Sequence, residues 1–365
     1  MTKLLNTFLL LAAPLLAAPH WDIQYHYRNV DSALTINDLV FPSATRGLFC
    51  GYVTDRKGKD RPVVMLTSDS GATWTESPVK ETGLSLFFLD DSNGWMVTEK
   101  GIWTTNESGH SWTKIKNAPS GILRVWFLTK EHGYAAGLQK RVFETNDGGD
   151  TWALLPILKE VEGNPVFTTF GEIAFSEGRG IISGWNIPPS RGGPAWMEAG
   201  AEPKHREVPH YSVLLETLDS GKKWIKSDAS VFGQITRISL TPQGTGLGLV
   251  EFKDEFEYPS EVQKINLHTG RSDRCYRDKN HAITDVRLFP GSNTSIIAGY
   301  ETAGTVFRSP IPGKVKILTS KDMENWTEMP VDYRAVAHSV IIAGPDETHV
   351  WAASDTGMIL RLIPE

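Results

Sequence analysis

TSDSGATW at Thr67 to Trp74, TNESGHSW at Thr105 to Trp112, TNDGGDTW at Thr145 to Trp152, TLDSGKKW at Thr217 to Trp224 and TSKDMENW at Thr319 to Trp326 are five writings of one eight-residue phrase. Each reads as a hairpin turn. The carboxylate of Asp69, Asp147 or Asp219 is placed to accept from nearby backbone N–H groups, and Gly71, Gly109, Gly149 or Gly221 supplies a conformation that a Cβ disfavours. The closing tryptophan, Trp74, Trp112, Trp152, Trp224 or Trp326, then starts the next strand as a core plug. The phrase is structural first, and its recurrence sets the architecture.

Ahead of each copy comes the same pattern: an apolar strand ending in Phe or Leu, a turn, a glycine-containing strand, and a strand running into the turn. In the second repeat it reads LSLFFLDDSNGWMVTEKGIWTTNESGHSW. Four antiparallel strands per repeat make a propeller blade. Trp74, Trp112 and Trp152 are 38 and 40 residues apart, the period of one blade, and the 72 residues to Trp224 leave room for an insertion at Asn186 to His210. The 102 residues from Trp224 to Trp326 need a worn copy, found at NLHTGRSDRC, Asn266 to Cys275. The last segment supplies three strands, and WDIQYHYRNV from Trp21 supplies a fourth. The expectation is an all-β, seven-bladed propeller over residues 19–365, closed by pairing the two ends of the chain so that no edge is left open.

Composition agrees with a soluble globular protein. Of 365 residues, 40% are hydrophobic, and 33 glycines and 21 prolines suit many short strands and turns. A formal charge of −6 gives no reason to expect nucleic acid or an anionic membrane as partner. Residues 1–18 read as an export signal, with Lys3, an apolar stretch from Leu4 to Leu16, and Ala17 and Ala18 near a cleavage point. The stretch is short for a membrane span, so the mature chain is expected to be exported, periplasmic or extracellular, and without a transmembrane segment. Cys50 and Cys275 fall in different repeats without metal or redox spacing and read as two buried thiols.

The alternation of GW or GY with a later TxDxGxxW resembles the photosystem II stability and assembly factor family, within the wider group of Asp-box (BNR-type) propellers that includes sialidases and sortilin-type receptors. The resemblance covers nearly the whole mature chain. It departs at Glu107, which stands where aspartate is usual, at the glycine-free copy near Asp322, and at the worn fifth repeat. Membership of that family implies a non-enzymatic scaffold in an exported compartment, lumenal in photosynthetic relatives. Its partner would be a protein or peptide, including a membrane-protein complex under assembly; a glycan is a further option, and a monomer without cofactor is expected.

Two sets of residues are candidates for contact. With the boxes between third and fourth strands, the long loops lie on the opposite face, and the loop at 186–210 sets Trp196 among Arg191, Lys204, His205, Arg206 and His210. Aromatics beside basic groups suit an acidic peptide or a sugar, against the alternative of a proline-rich loop packing its own tryptophan. His205 and His210 lack a clear third ligand, so no metal is assigned. The second set is a column, polar in every blade when the innermost strands are aligned: Asp38, Ser85, Arg124, Glu172, Arg237, Asp285 and Ser339, with Arg287, His281, Arg334 and His338 near it. Arg124 and Glu172 fall in adjacent blades, as do Arg237 and Asp285, so charge pairing between blades accounts for much of it without a ligand. A sialidase-like glycoside hydrolase with its acids in the central channel is the alternative function. The arginine, isoleucine, proline signature of sialidases is missing, and Tyr258 and Glu261 have nothing to position them. The binding scaffold, recognising its partner on the face opposite the boxes, asks less of the residues.

Overall fold

In the computed structural model, which describes residues 19–187, 210–231, 233–252, 257–289, 291–302 and 312–364, the recurring phrases close hairpins in successive antiparallel sheets. Seven such four-stranded blades form a β-propeller. The innermost strands are Ser32–Val40, Gly83–Phe88, Ile122–Phe127, Thr168–Ser176, Gly233–Leu240, His281–Leu288 and Val340–Asp346. In the seventh blade the outer strand is the N-terminal His20–His26, paired antiparallel with Met358–Ile363. Trp21 of that strand is buried, and its backbone N–H also donates to Pro330 of the sixth blade, so the closing strand is held on two sides. No helix among the described residues is long and apolar enough to cross a membrane. Residues 1–18, read above as an export signal, lie outside the described residues.

The box works through two side chains acting in turn. Thr67 Oγ1 accepts from Gly71 N at 2.8 Å and donates to Asp69 Oδ1 at 2.8 Å, and the same carboxylate accepts from Thr73 N at 2.8 Å and Thr73 Oγ1 at 2.6 Å. Donors on both sides hold the Asp69 carboxyl down at about 2, with the Thr73 hydroxyl the largest contributor. Thr145 with Asp147 and Thr217 with Asp219 repeat the arrangement. Gly71 has φ near +86°, where a side chain would be strained. The copy without glycine shortens the turn: Ser320, not Thr319, does the work of Thr67, donating to Asp322 Oδ1 at 2.9 Å. Asn325 N then closes on Asp322 at 2.7 Å, and Met323 takes the positive φ, so the glycine position is omitted. The worn copy lies where the repeat count puts it, in the turn between Ser260–Asn266 and Arg271–Arg277 of the fifth blade.

The box tryptophans are only partly buried, and the core is plugged by a different aromatic. Trp95, Tyr134 and Trp351, the second residue of each GW, GY or equivalent strand, are at most 3% exposed. Each lies flat on the phenylalanine that ends the next blade's inner strand: Trp351 on Phe41, Trp95 on Phe127 and Tyr134 on Phe175. The box tryptophans Trp74, Trp152 and Trp224 then stand edge-on against Phe41, Phe127 and Phe175. Before Trp95 and Tyr134 a glycine is a steric requirement, whereas Val350 precedes Trp351. A Cβ on Gly133 would sit 2.5 Å from the Phe127 ring. Cys50 is buried and Cys275 half-buried, both as free thiols.

Antiparallel order puts the first–second turns on the same face as the boxes, and backbone bonds join them, Ser70 N to Thr45 O and Ser220 N to Gly178 O at 2.9 and 2.7 Å. The second–third turns and the connections between blades occupy the other face.

Candidate functional site

Strand pairing inside six of the seven blades slips by one residue at the same place on the innermost strand, at Asn37, Leu84, Leu123, Gly171, Thr236 and Thr284. A bulge of this kind turns the following side chain. The residues that follow are Asp38, Ser85, Arg124, Glu172, Arg237 and Asp285, six of the seven aligned from sequence. The seventh is a correction. Val340 and Ile341 pair with Ser354 and Ala353 without a slip, which puts Ile341 at this level, while Ser339 lies before the strand with its N–H on Asp355. The last blade lacks the bulge and is apolar at this level, and Ser339, the polar residue picked from sequence, lies two residues earlier.

Around the axis the charges alternate. Arg124 Nη1 lies 3.8 Å from Asp38 and its Nε 3.4 Å from Glu172; Arg237 lies 3.8 Å from Glu172 and 3.6 Å from Asp285. Glu172 is thus shared by two guanidinium groups. Burial pushes the Glu172 and Asp285 carboxyls up, against the pull of Arg124 and Arg237. The two outer aspartates are also cement between blades. Asp38 accepts from Leu39 N and from Leu86 N of the next blade, and Asp285 accepts from Val286 N and Ile342 N. Ser85 donates across to Leu123 O. The guanidinium groups are held more loosely. Within the described residues Arg124 makes one hydrogen bond, at 3.4 Å to Glu172, and Arg237 one, at 2.8 Å to Thr236 O. Each keeps donors for an acceptor from outside.

These residues lie at the inner end of an axial cavity of about 520 Å³. Its walls are the outgoing halves of all seven inner strands, and its rim includes Phe41, Pro42, Leu89, Ser176 and Pro345, which lead into the first–second turns. The cavity therefore opens on the face that carries the boxes. Of the four neighbours expected near the column, Arg287 lines the cavity. His281 instead sits fully buried between the fifth and sixth blades, bonded to Tyr276 Oη and Lys316 O, while Arg334 and His338 pair with Asp332 and Asp355. Burial lowers the His281 pKa to about 3. Sequence reading missed the level two residues beyond the column, where Phe87, Trp126 and Arg287 stand; the residue preceding the phenylalanine or leucine that ends each inner strand was the available signal.

The loop candidates Arg191, Trp196, Lys204, His205 and Arg206 lie outside the described residues. His210 opens the strand His210–Thr217, and its side chain is also outside them. Of the alternative enzyme's loop pair, Tyr258 lies under Arg277, 4.0 Å from ring centroid to guanidinium carbon, and Glu261 lies 3.8 Å from the same arginine.

Among solved structures, the chain is similar to YCF48 bound to D1 peptide, with a TM-score of 0.60 and 16% identity over 96% of this chain and 99% of that one. YCF48 from Cyanidioschyzon merolae gives 0.59 and 15%, covering 94% of this chain and 98% of that one. An ancestral GH74 enzyme gives 0.57 and 11%, but 92% of this chain covers 46% of that one. At such identities the likeness is one of fold. No family model matches the chain, and no curated protein does.

Proposed function

We propose that this chain is an exported, non-catalytic binding scaffold that takes a peptide or a protein segment into the axial cavity from the box face. The observation that carries the reading is the cavity: about 520 Å³, within the usual range for ligand sites, with walls of mixed polar and apolar character and loosely held arginines at its inner end. Apolar patches beside convergent polar groups are what an extended segment needs, since its apolar side chains bury against Phe87 and Trp126 and its carbonyl or carboxylate oxygens meet the guanidinium donors. The similarity to YCF48, solved with D1 peptide bound, supports a peptide partner. The Lys3 and Leu4 to Leu16 leader supports export. Partner capture from the native host tests this. Arg124→Gln with Arg237→Gln is expected to abolish capture while deletion of 188–209 leaves it; the reverse result would return the site to the opposite face.

A glycoside hydrolase remains the second reading, favoured by one observation, the raised pKa of Glu172 and Asp285 in a cavity. Both Asp285 oxygens are committed to main-chain N–H groups, which leaves Glu172 as the freer acid. This reading requires turnover of a sialoside or a β-glucan that Glu172→Gln abolishes with the fold retained.

A further inference from the structure

Two residues beyond the column, the seven inner strands present a second ring, and it is strongly uneven. Blades two and three contribute Phe87 and Trp126, blades four, five and seven contribute Ala174, Ser239 and Ala343, and blade one Val40. Blade six contributes Arg287. In a seven-membered ring the sixth position is as far as possible from the second and third, so an arginine faces an aromatic pair across the axis, with small side chains leaving room between them.

Phe87 and Trp126 are both partly exposed in the cavity wall, with ring centroids 5.0 Å apart and planes tilted by 45°. Their backs are fixed, Phe87 against Trp95 and Trp126 against Phe175, so the pair is a preformed apolar surface. Trp126 Nε1 makes no hydrogen bond among the described residues and is not fully buried. Arg287 is exposed, its guanidinium gives one hydrogen bond, at 3.3 Å to Gly344 O, and no carboxylate of the described residues lies within 4.0 Å of it.

We propose that this second ring is a side-chain-selective subsite: Phe87 and Trp126 grip one large apolar side chain of a bound peptide, and Arg287 takes an acceptor oxygen of the same segment. The proposal rests on the peptide-binding reading above and names the residue class the peptide must carry. The two rings touch, and the 45° between their planes offers a side chain an angled apolar surface in place of the single flat face on which a sugar stacks. Rigid aromatic anchors with a guanidinium opposite are the composition of an interface hot spot.

The test is panning of a phage-displayed random dodecapeptide library on the immobilised full-length protein. Enriched peptides are expected to share a Trp, Phe, Leu or Met and to bind Trp126→Leu and Phe87→Leu about tenfold more weakly, near 1.4 kcal/mol. Trp126→Phe should keep binding within about threefold, and Arg287→Gln should weaken it about fivefold, all with melting temperatures near that of the parent. Peptides that lose affinity on Arg124→Gln with Arg237→Gln, yet share no apolar residue and ignore Trp126→Leu, would overturn the subsite while leaving the peptide reading intact. Failure to enrich any peptide sensitive to either set of variants would overturn both. Quenching of tryptophan fluorescence by cellohexaose that disappears in Trp126→Leu would make the pair a sugar platform instead.

Discussion

Trp351, on the second strand of the last blade, lies parallel to Phe41 of the first, with ring centroids 3.6 Å apart and planes within 2°. Its indole N–H reaches on to the carbonyl of Ser70 at 3.1 Å, inside the first box. These residues join the two ends of the repeat array, and the same stack recurs as Trp95 on Phe127. The ring is therefore closed twice, by the N-terminal strand at the outside and by an aromatic stack at the seam.

Trp351→Ala is expected to cost about 3 to 5 kcal/mol, as for a fully buried aromatic, and Phe41→Ala about 3. In a urea-denaturation double-mutant cycle the pair should show coupling of about 0.5 to 1.5 kcal/mol beyond additivity. Additive losses would mean that the two rings are buried side by side without acting together.

Removal of residues 19–26 takes away the strand that covers Met358–Ile363 and the buried Trp21. The shortened protein should melt at a markedly lower temperature and associate through the bared edge, visible as concentration-dependent light scattering. A monomer of unchanged stability would count against closure by this strand.

His281 gives a pH dependence of known sign. Its folded pKa lies near 3, below the ordinary 6.5, because burial disfavours the imidazolium. The neutral form is therefore the folded one, and its contribution is complete above pH 6.5 and lost progressively toward pH 3. The stability difference between the parent and His281→Gln should shrink as pH falls through this window, by at most about 1.4 kcal/mol per pH unit. Taking the difference cancels Glu172 and Asp285, whose raised pKa values act in the opposite direction.

Glu172→Gln removes the carboxylate that Arg124 and Arg237 share. Burial already offsets both attractions, as the raised Glu172 pKa shows, and the separations are 3.4 and 3.8 Å, so the change in stability is expected to stay within about 1 kcal/mol in chemical denaturation. A loss of about 3 kcal/mol or more would mean that the pairing outweighs the desolvation of Glu172.

Asp147, held at about 2 chiefly by the Thr151 hydroxyl, represents the box carboxylates. Asp147→Ala is expected to lower the urea midpoint and to leave peptide binding untouched, since the box contributes a turn and no cavity wall. Lost binding at unchanged stability would give the box a direct functional role.

Much of this was legible in the chain because propeller signals are local. The Thr–Asp–Gly phrase needs only eight residues to satisfy its own backbone groups, so its spacing counts blades without any knowledge of their packing. Six of seven column residues were found by aligning strands, and Ser339 failed because the last blade presents the apolar Ile341 at this level, a register that only the strand pairing reveals. The part played by the box tryptophans also shifted. Trp152 and Trp224 stand edge-on at the seam, and the fully buried plugs are Trp95, Tyr134 and Trp351, contacts made between blades rather than within the phrase.

By itself the sequence determined the seven-fold repeat, the turn chemistry and the closure at Trp21, since each rests on short-range hydrogen bonding or on a period of about forty residues. Only the tertiary structure decided where the inner strands point. Antiparallel order carries their outgoing ends to the box face, and seven of them converging on one axis bring Phe87, Trp126 and Arg287 around a shared space. Residues from blades two, three and six meet there because the chain closes into a circle, a relationship that no spacing along the chain encodes.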